Sequence, residues 1–343
     1  MRFDELYLAA AGSYLPAAVP VDDAVDDGRY DDLEQVDSGQ QEVTVAGPGQ
    51  SPPEMAVPAA RTALARSRHR PDEVDLLLYA VTTHFGIDGW NAGSYLCREV
   101  TGGSGVAFEI GQQSNGAMAA IELAAAYLGA SPDRTAALIV ASDRFPAPRW
   151  DRWRTGWGLV FADGAAAAVL SRRGGFARVV SAVTVSDPEL EGIHRGSMPF
   201  APTDAERFPV DFRARSIDYG VTASLDEAGK RVVAGMREAV ERATAEAGID
   251  LDRARHVVVP GFGRALLVRE CLEPLGIPLE RTTWSWSAHV GHLGAADQFA
   301  ALAYLGESGR LDAGDTVVLI GVGGGFNWTC VVLDILDRPS WAA

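Results

Sequence analysis

The chain has 343 residues, enough for roughly two domains, and its 47% hydrophobic, 22% charged composition is that of a soluble globular protein with a large core. A formal net charge of −16 disfavours nonspecific binding to nucleic acid or to anionic membrane. Cys97, Cys271 and Cys330 are scattered with no CxxC pair, which argues against a disulfide framework and for a reducing compartment.

The opening "MRFDELYLAAAGSYLP" lacks the basic start, apolar core and cleavage site of a secretory signal, and no apolar run reaches transmembrane length. A cytoplasmic protein is expected. Residues 30–55, rich in Asp, Gln, Gly and Pro, read as loop. "VDLLLYAVTTH" (74–84) predicts a buried strand running into a loop, and "GVAFEIG" (105–111) a second strand. A helix over 115–128 follows it. "TAALIVASD" (135–143) predicts a third strand and "GLVFADGAAAAVLS" (158–171) a fourth, interrupted by a turn.

Residues 186–222 have little periodicity, and at that length a cap or substrate-facing segment is expected rather than a plain connection. The second half then repeats the α/β grammar. A long amphipathic helix covers 225–248, and strand, loop and helix cover 255–276. A helix over 292–309 ends at a glycine cap, and 315–335 is strand, glycine turn, strand. Two halves of similar order, 1–172 and 173–343, suggest a duplicated unit with an active site at the junction.

Four segments carry candidate chemistry. In "EIGQQSNGAMAAIELAAAYL" (109–128) Ser114 stands at the mouth of the predicted helix. It reads either as a helix cap or as a nucleophile beside free backbone N–H groups at the positive end of a helix dipole. A hydrolase elbow requires G-x-S-x-G, and Gln112 occupies the first glycine position. In "SAHVGHLGAAD" (287–297), His292 could serve as a base oriented by Asp297, with His289 nearby; structural histidines and a surface acid are the plain alternative. These are too few for a metal site. The glycines at 321, 323, 324 and 325 precede a strand rather than a helix, so a close backbone approach to substrate fits better than a nucleotide loop. "FPAPRWDRWRTGW" (145–157), with Arg144 beside it, mixes arginines that include Arg152 and Arg154 with three tryptophans. It reads as a site for the phosphates of an acyl carrier or as an ordinary loop at a subunit contact.

Together these segments resemble the ketoacyl synthase III family of the thiolase superfamily across nearly the whole chain. "GSYLP" (12–16) is similar to that family's N-terminal strand and turn. "FADGAAAAVL" (161–170) is similar to its F-G-D-G-A-G-A pattern, and "HVGHLGAADQFAALAYLGESGRLDAGDTVVLIGVGGGFNWTCVVL" to its last catalytic segment and closing glycine turn. The resemblance implies a thiolase fold: duplicated βαβ halves in a five-layer αβαβα sandwich, assembled as a homodimer. Acyl-CoA or an acyl carrier protein would be the partner, with coenzyme A or phosphopantetheine as the acyl carrier and no other cofactor.

The resemblance also marks departures. Ser114 stands where the family has its cysteine nucleophile, Gly261 where it has the histidine of P-H-Q-A-N, and His292 where it has the asparagine of G-N-T-S-A-A. Such a set is similar to a secondary-metabolite branch containing acyltransferases with His and Asp at these places and serine-containing starter-unit ketosynthases of anthracycline-type pathways. It implies Ser114 as nucleophile, His292 as base, Asp297 as orienting acid and His194 as a second polar group. The backbone N–H groups of Ser114 and Gly324 would form the oxyanion hole. Trp90, in the family's acyl-pocket region, implies a short acyl group; Arg152, Arg154 and Gly261 complete the expected substrate contacts. The expected function is transfer of an acyl group through a seryl ester. Starter-unit condensation with a malonyl carrier protein and a non-catalytic ketosynthase partner are the alternatives.

Overall fold

The computed structural model describes residues 1–85, 87–200 and 208–342. Its strands are β1 (Tyr7–Tyr14), β2 (Ala18–Pro20), β3 (Glu42–Thr44), β4 (Val74–Ala80), β5 (Val106–Ile110), β6 (Ala136–Asp143), β7 (Gly164–Ser171), β8 (Ala177–Ser186), β9 (His256–Val258), β10 (Thr316–Gly323) and β11 (Asn327–Ile335). Apart from the small β2–β3 ribbon, they form one mixed sheet in the order β5-β4-β6-β7-β1-β8-β11-β10-β9.

The pairing repeats itself across that sheet. β4–β6 is parallel, and β6–β7 and β7–β1 are antiparallel. In the same way β9–β10 is parallel, and β10–β11 and β11–β8 are antiparallel. Among the described residues the two sets of strands pair with each other only through the short β1–β8 contact, where Tyr7 faces Arg178 and Leu8 faces Ala177. β6 is buried at every position, as its apolar run 136–141 requires of a strand covered on both faces, and the polar Ser142 and Asp143 at its end are buried with it.

Two apolar helices, Gly116–Gly129 and Asp297–Glu307, lie between the two sets of strands. The first packs on β4 and β6 and also on β8 and β11; the second packs on β1 and β7 and also on β9 and β10. Helices hydrophobic around most of their circumference belong in such an inner layer. Helix Pro52–Arg66 covers β1, β6 and β7 from outside, and helix Leu225–Ala247 covers β8 and β11. The result is the α/β five-layer arrangement of a thiolase-like fold. Ala228, Val232, Met236, Ala239, Val240 and Ala243 form the buried stripe of the Leu225–Ala247 helix. It is capped by Ser224 at one end and by left-handed Gly248 at the other.

One loop expectation needs correction. Within 30–55 there is a helix, Asp32–Ser38, and the strand β3. Asp31 caps that helix by accepting from the Leu33 and Glu34 N–H groups, and Gly39 ends it at φ +61°. These termination signals outweigh the polar composition between them. Within 186–222 the chain forms short helix Gly192–Arg195 and helix Phe212–Thr222, the latter capped by Asp211. Residues 201–207 of that stretch lie outside the described residues.

Candidate active site

β5 ends at Ile110, and the chain turns through a single 3₁₀ turn, Gln113–Asn115, into the Gly116–Gly129 helix. Gln113 has φ +48°, a left-handed conformation rarely adopted by a non-glycine residue and concentrated at functional turns. The turn lifts Ser114 out of the capping position. The helix has Asn115 at its N-cap, with no side-chain capping bond, and Ser114 Oγ lies 2.9 Å from His292 Nε2. The helix-cap alternative is therefore corrected: the hydroxyl's partner is an imidazole 178 residues away in sequence.

His292 is fixed first by its backbone, whose N–H donates to Val160 O and whose carbonyl accepts from Ala162 N, each at 2.8 Å. Its ring is 3% exposed and packs against Phe161 and Phe262. His292 Nδ1 donates to Asp297 Oδ2 at 2.6 Å. The same oxygen accepts from Gly261 N at 2.7 Å, and Oδ1 accepts from Leu293 N at 2.7 Å. Asp297 is also the first residue of its helix, where negative charge is favoured. A carboxylate at Nδ1 holds the proton on that nitrogen and leaves the Nε2 lone pair facing the Ser114 hydroxyl. The arrangement can take a proton from Ser114 and stabilise the resulting imidazolium.

Gly261 does not reach substrate space, a correction to its expected contact role. A Cβ there would lie 2.7 Å from Gly291 O and 3.0 Å from Asp297 Oδ1. The position is glycine because the backbone itself is Asp297's hydrogen-bond donor.

Ser114 and His292 open into a cavity of about 420 Å³ with largely apolar walls that include Trp150, Trp157, Phe212, Phe262 and Phe326. Thr82, His194, Gly323 and Gly324 also face it. His194 stacks on Phe212 with centroids 4.5 Å apart and packs on Phe326 at 5.2 Å. Burial, reinforced by the Arg215 charge, pushes its pKa down to about 4, so the imidazole is neutral at neutral pH. The glycine turn lies directly on this ring: a Cβ on Gly324 would be 2.3 Å from His194 Nδ1.

Several predicted contacts fall elsewhere. Arg152 donates to Phe161 O at 2.7 Å and pairs with buried Asp163 at 3.0 Å, so its guanidinium braces the fold and is not offered to a phosphate. Arg154 is exposed and donates to Gly28 O at 2.6 Å. Trp90 packs edge-on against Phe85 outside the cavity and does not limit the acyl space within this chain. His289 bonds Glu42 at the surface.

Two aspartates near the site escaped sequence reasoning. Asp143, at the end of β6, accepts from the N–H groups of Thr82, Thr83 and Ala295 and so ties the Thr82 loop to the turn that follows His292. Burial raises its pKa to about 6 despite these bonds. Asp163, besides Arg152, accepts from Ala46 N and Phe145 N. An acid directly after an unbroken apolar strand, as in "AALIVASD", is the signal that could have found Asp143.

Known proteins give this arrangement a family. A model of 3-oxoacyl-[acyl-carrier-protein (ACP)] synthase III matches residues 108–188, and one of the C-terminal part of 3-oxoacyl-[ACP] synthase III matches 244–335. The beta-ketoacyl-[acyl-carrier-protein] synthase III of Rhizobium meliloti is 27% identical over 307 residues, covering 86% of this chain and 88% of that protein. The structure of ChlB3, an acyltransferase, superposes with a TM-score of 0.93 at 38% identity over 98% of this chain and 100% of its own. That of 3-oxoacyl-(acyl carrier protein) synthase III from Pseudomonas aeruginosa PAO1 superposes at 0.78 and 24% identity, over 98% and 99%. With this fold, and with segments of both halves of its site matched, the chain belongs to the 3-oxoacyl-(acyl-carrier-protein) synthase III family.

Proposed function

We propose that this protein is an acyltransferase of secondary-metabolite, polyketide-type biosynthesis that works through a seryl ester on Ser114. The observation that carries this reading is the continuous hydrogen-bonded line Ser114 Oγ, His292 Nε2, His292 Nδ1, Asp297 Oδ2. His292 removes the Ser114 proton as Oγ attacks the thioester carbonyl of acyl-CoA or acyl carrier protein. The oxyanion is received by the backbone N–H groups of Ser114 and Gly324, both at the cavity wall. Collapse expels the carrier thiol, which takes the proton from His292 and leaves an oxygen ester. His292 then deprotonates an acceptor hydroxyl or amine for the second transfer, with neutral His194 as a hydrogen-bonding group for the acceptor or the oxyanion. Likeness to an acyltransferase at 38% identity supports this chemistry. So does the glycine at 261, which brings no side chain to the acceptor.

The test is intact-protein mass after exposure to a panel of acyl-CoAs. An acyl adduct on wild type and none on Ser114→Ala is the expected result. No adduct on wild type, with equal activity of the variant, would leave the non-catalytic partner reading. A second reading is starter-unit condensation, favoured by the two imidazoles, His194 and His292, that face the same cavity. Release of carbon dioxide from malonyl carrier protein with a β-keto product would establish it instead.

Exposed Val106 and Phe108 on the edge strand β5 support a homodimer through that edge. Three free, buried cysteines support a reducing, cytoplasmic setting.

A further inference from the structure

A second cavity, of about 410 Å³, lies at the far end of β7. β7 begins at Gly164 against Leu293, the neighbour of His292, and ends at Ser171, whose hydroxyl lies 2.9 Å from His69 Nε2. At about 3.3 Å per residue the two ends of this strand are roughly 23 Å apart. The far cavity is walled by Arg66 and Arg68 from the end of the Pro52–Arg66 helix, Arg173 from the turn after β7, Arg338 from the C-terminal segment, and His69. Asp337 is the one carboxylate residue in that wall. The wall itself carries four arginines against one acid, with Glu307 and Glu73 pairing Arg66 and Arg173 from outside it, in a chain with 46 acidic and 30 basic residues.

The groups are also held ready. Arg66 donates to Ala11 O at 3.0 Å, pairs with Glu307 at 2.7 Å and lies over the Trp341 ring, and exposed Arg173 pairs with Glu73 at 2.7 Å. One carboxylate uses at most two of a guanidinium's five N–H donors, so the exposed Arg173 fork keeps donors for another anion. Among the described residues the Arg68 side chain makes no hydrogen bond or ion pair, and its left-handed backbone, at φ +63°, ends the Pro52–Arg66 helix after its cap Ser67. The His69 side chain is only 6% exposed; Nε2 is anchored on Ser171 while Nδ1 has no hydrogen-bond partner, Glu73 being 3.8 Å away.

We propose that this cavity binds a diphosphate-bearing anion at a site separate from the catalytic one. Guanidinium forks arriving from three segments match the oxygens of two linked phosphates, whereas a single carboxylate would engage one fork. The volume admits inorganic diphosphate or a nucleoside diphosphate, which present the same chemistry.

Calorimetry of the full chain at low ionic strength, with inorganic pyrophosphate and with ADP as probes, tests it. One-site binding of pyrophosphate to wild type is expected, weakened about tenfold or more in Arg68→Gly, which removes one fork. That variant also relieves the left-handed backbone, so a lost fold does not explain lost binding, and acylation of Ser114 continues unchanged in it. Tighter binding of ADP than of pyrophosphate assigns the nucleoside form, and equal binding the inorganic one. No binding by wild type, or undiminished binding by Arg68→Gly, overturns the proposal.

Discussion

Gly261 N–H and His292 Nδ1–H converge on a single oxygen, Asp297 Oδ2, at 2.7 and 2.6 Å. Gly261, at the place where the resemblance implies a histidine, thus shares a hydrogen-bond acceptor with the proposed base His292. Gly261→Ala puts a methyl 3.0 Å from the other carboxylate oxygen and 2.7 Å from Gly291 O. Overpacking of this kind costs about 1–3 kcal/mol of stability. The larger effect is on rate: the acylation rate constant falls about tenfold or more while KM changes little, because a displaced base is lost from the transition state and not from binding. Stopped-flow acylation beside a denaturation curve separates the two effects.

Asp297→Asn removes the charge that holds the His292 tautomer. In a serine nucleophile system that loss is worth on the order of 10⁴ in rate. A thiol needs less activation, since part of it ionises unaided near neutral pH. The Asp297→Asn penalty is therefore expected to shrink by at least about tenfold in a Ser114→Cys background. Equal penalties in the two backgrounds, measured as single-turnover acylation rates, would mean that Asp297 acts on something other than nucleophile activation.

Ser114, His292 and Asp297 were legible because each sits in a local pattern that the family resemblance aligned, although 178 residues separate the serine from its base. The α/β alternation was legible for the same reason, since strands such as β6 are continuous apolar runs. What escaped depends on three-dimensional partners. Arg152 reads as a phosphate ligand until Asp163, buried eleven residues later, claims it. Gly261 reads as a missing catalytic side chain until its N–H is seen to carry the contact. The left-handed Gln113 has no sequence signal, because glutamine rarely adopts that conformation and tertiary contacts impose it. The Asp32–Ser38 helix was overlooked because only one of its residues is buried, which erases hydrophobic periodicity.

The ion pair of Arg152 and Asp163 gives a separate prediction. The aspartate is 1% exposed and the arginine 12%, so Arg152→Ala leaves a buried carboxylate with only its backbone donors. A loss of about 3 kcal/mol in stability is expected, and affinity for coenzyme A should be unchanged in the fraction that remains folded. The opposite result, a stable variant with weakened coenzyme A binding, would return Arg152 to the role that composition suggested.

His194 and Asp143 shift in opposite directions and so act oppositely on stability below neutrality. His194 falls from 6.5 to about 4 because burial penalises its charged form, with Arg215 adding to the effect. Between those values the unfolded chain binds the proton that the folded chain refuses, so this stability is full above pH 6.5 and drains as pH falls towards 4. At 1.36 kcal/mol per unit the loss is at most about 3 kcal/mol. Asp143 rises from 3.8 to about 6, again by burial. There the folded chain binds the proton first, and stability attributable to this group increases as pH falls from 6 to 4. Urea unfolding at pH 7 and pH 4.5 resolves the two contributions. Relative to wild type, His194→Gln should be more favourable at pH 4.5 than at pH 7, and Asp143→Asn less favourable at pH 4.5 than at pH 7. Parallel pH profiles for wild type and both variants would show that neither side chain is shifted by its surroundings.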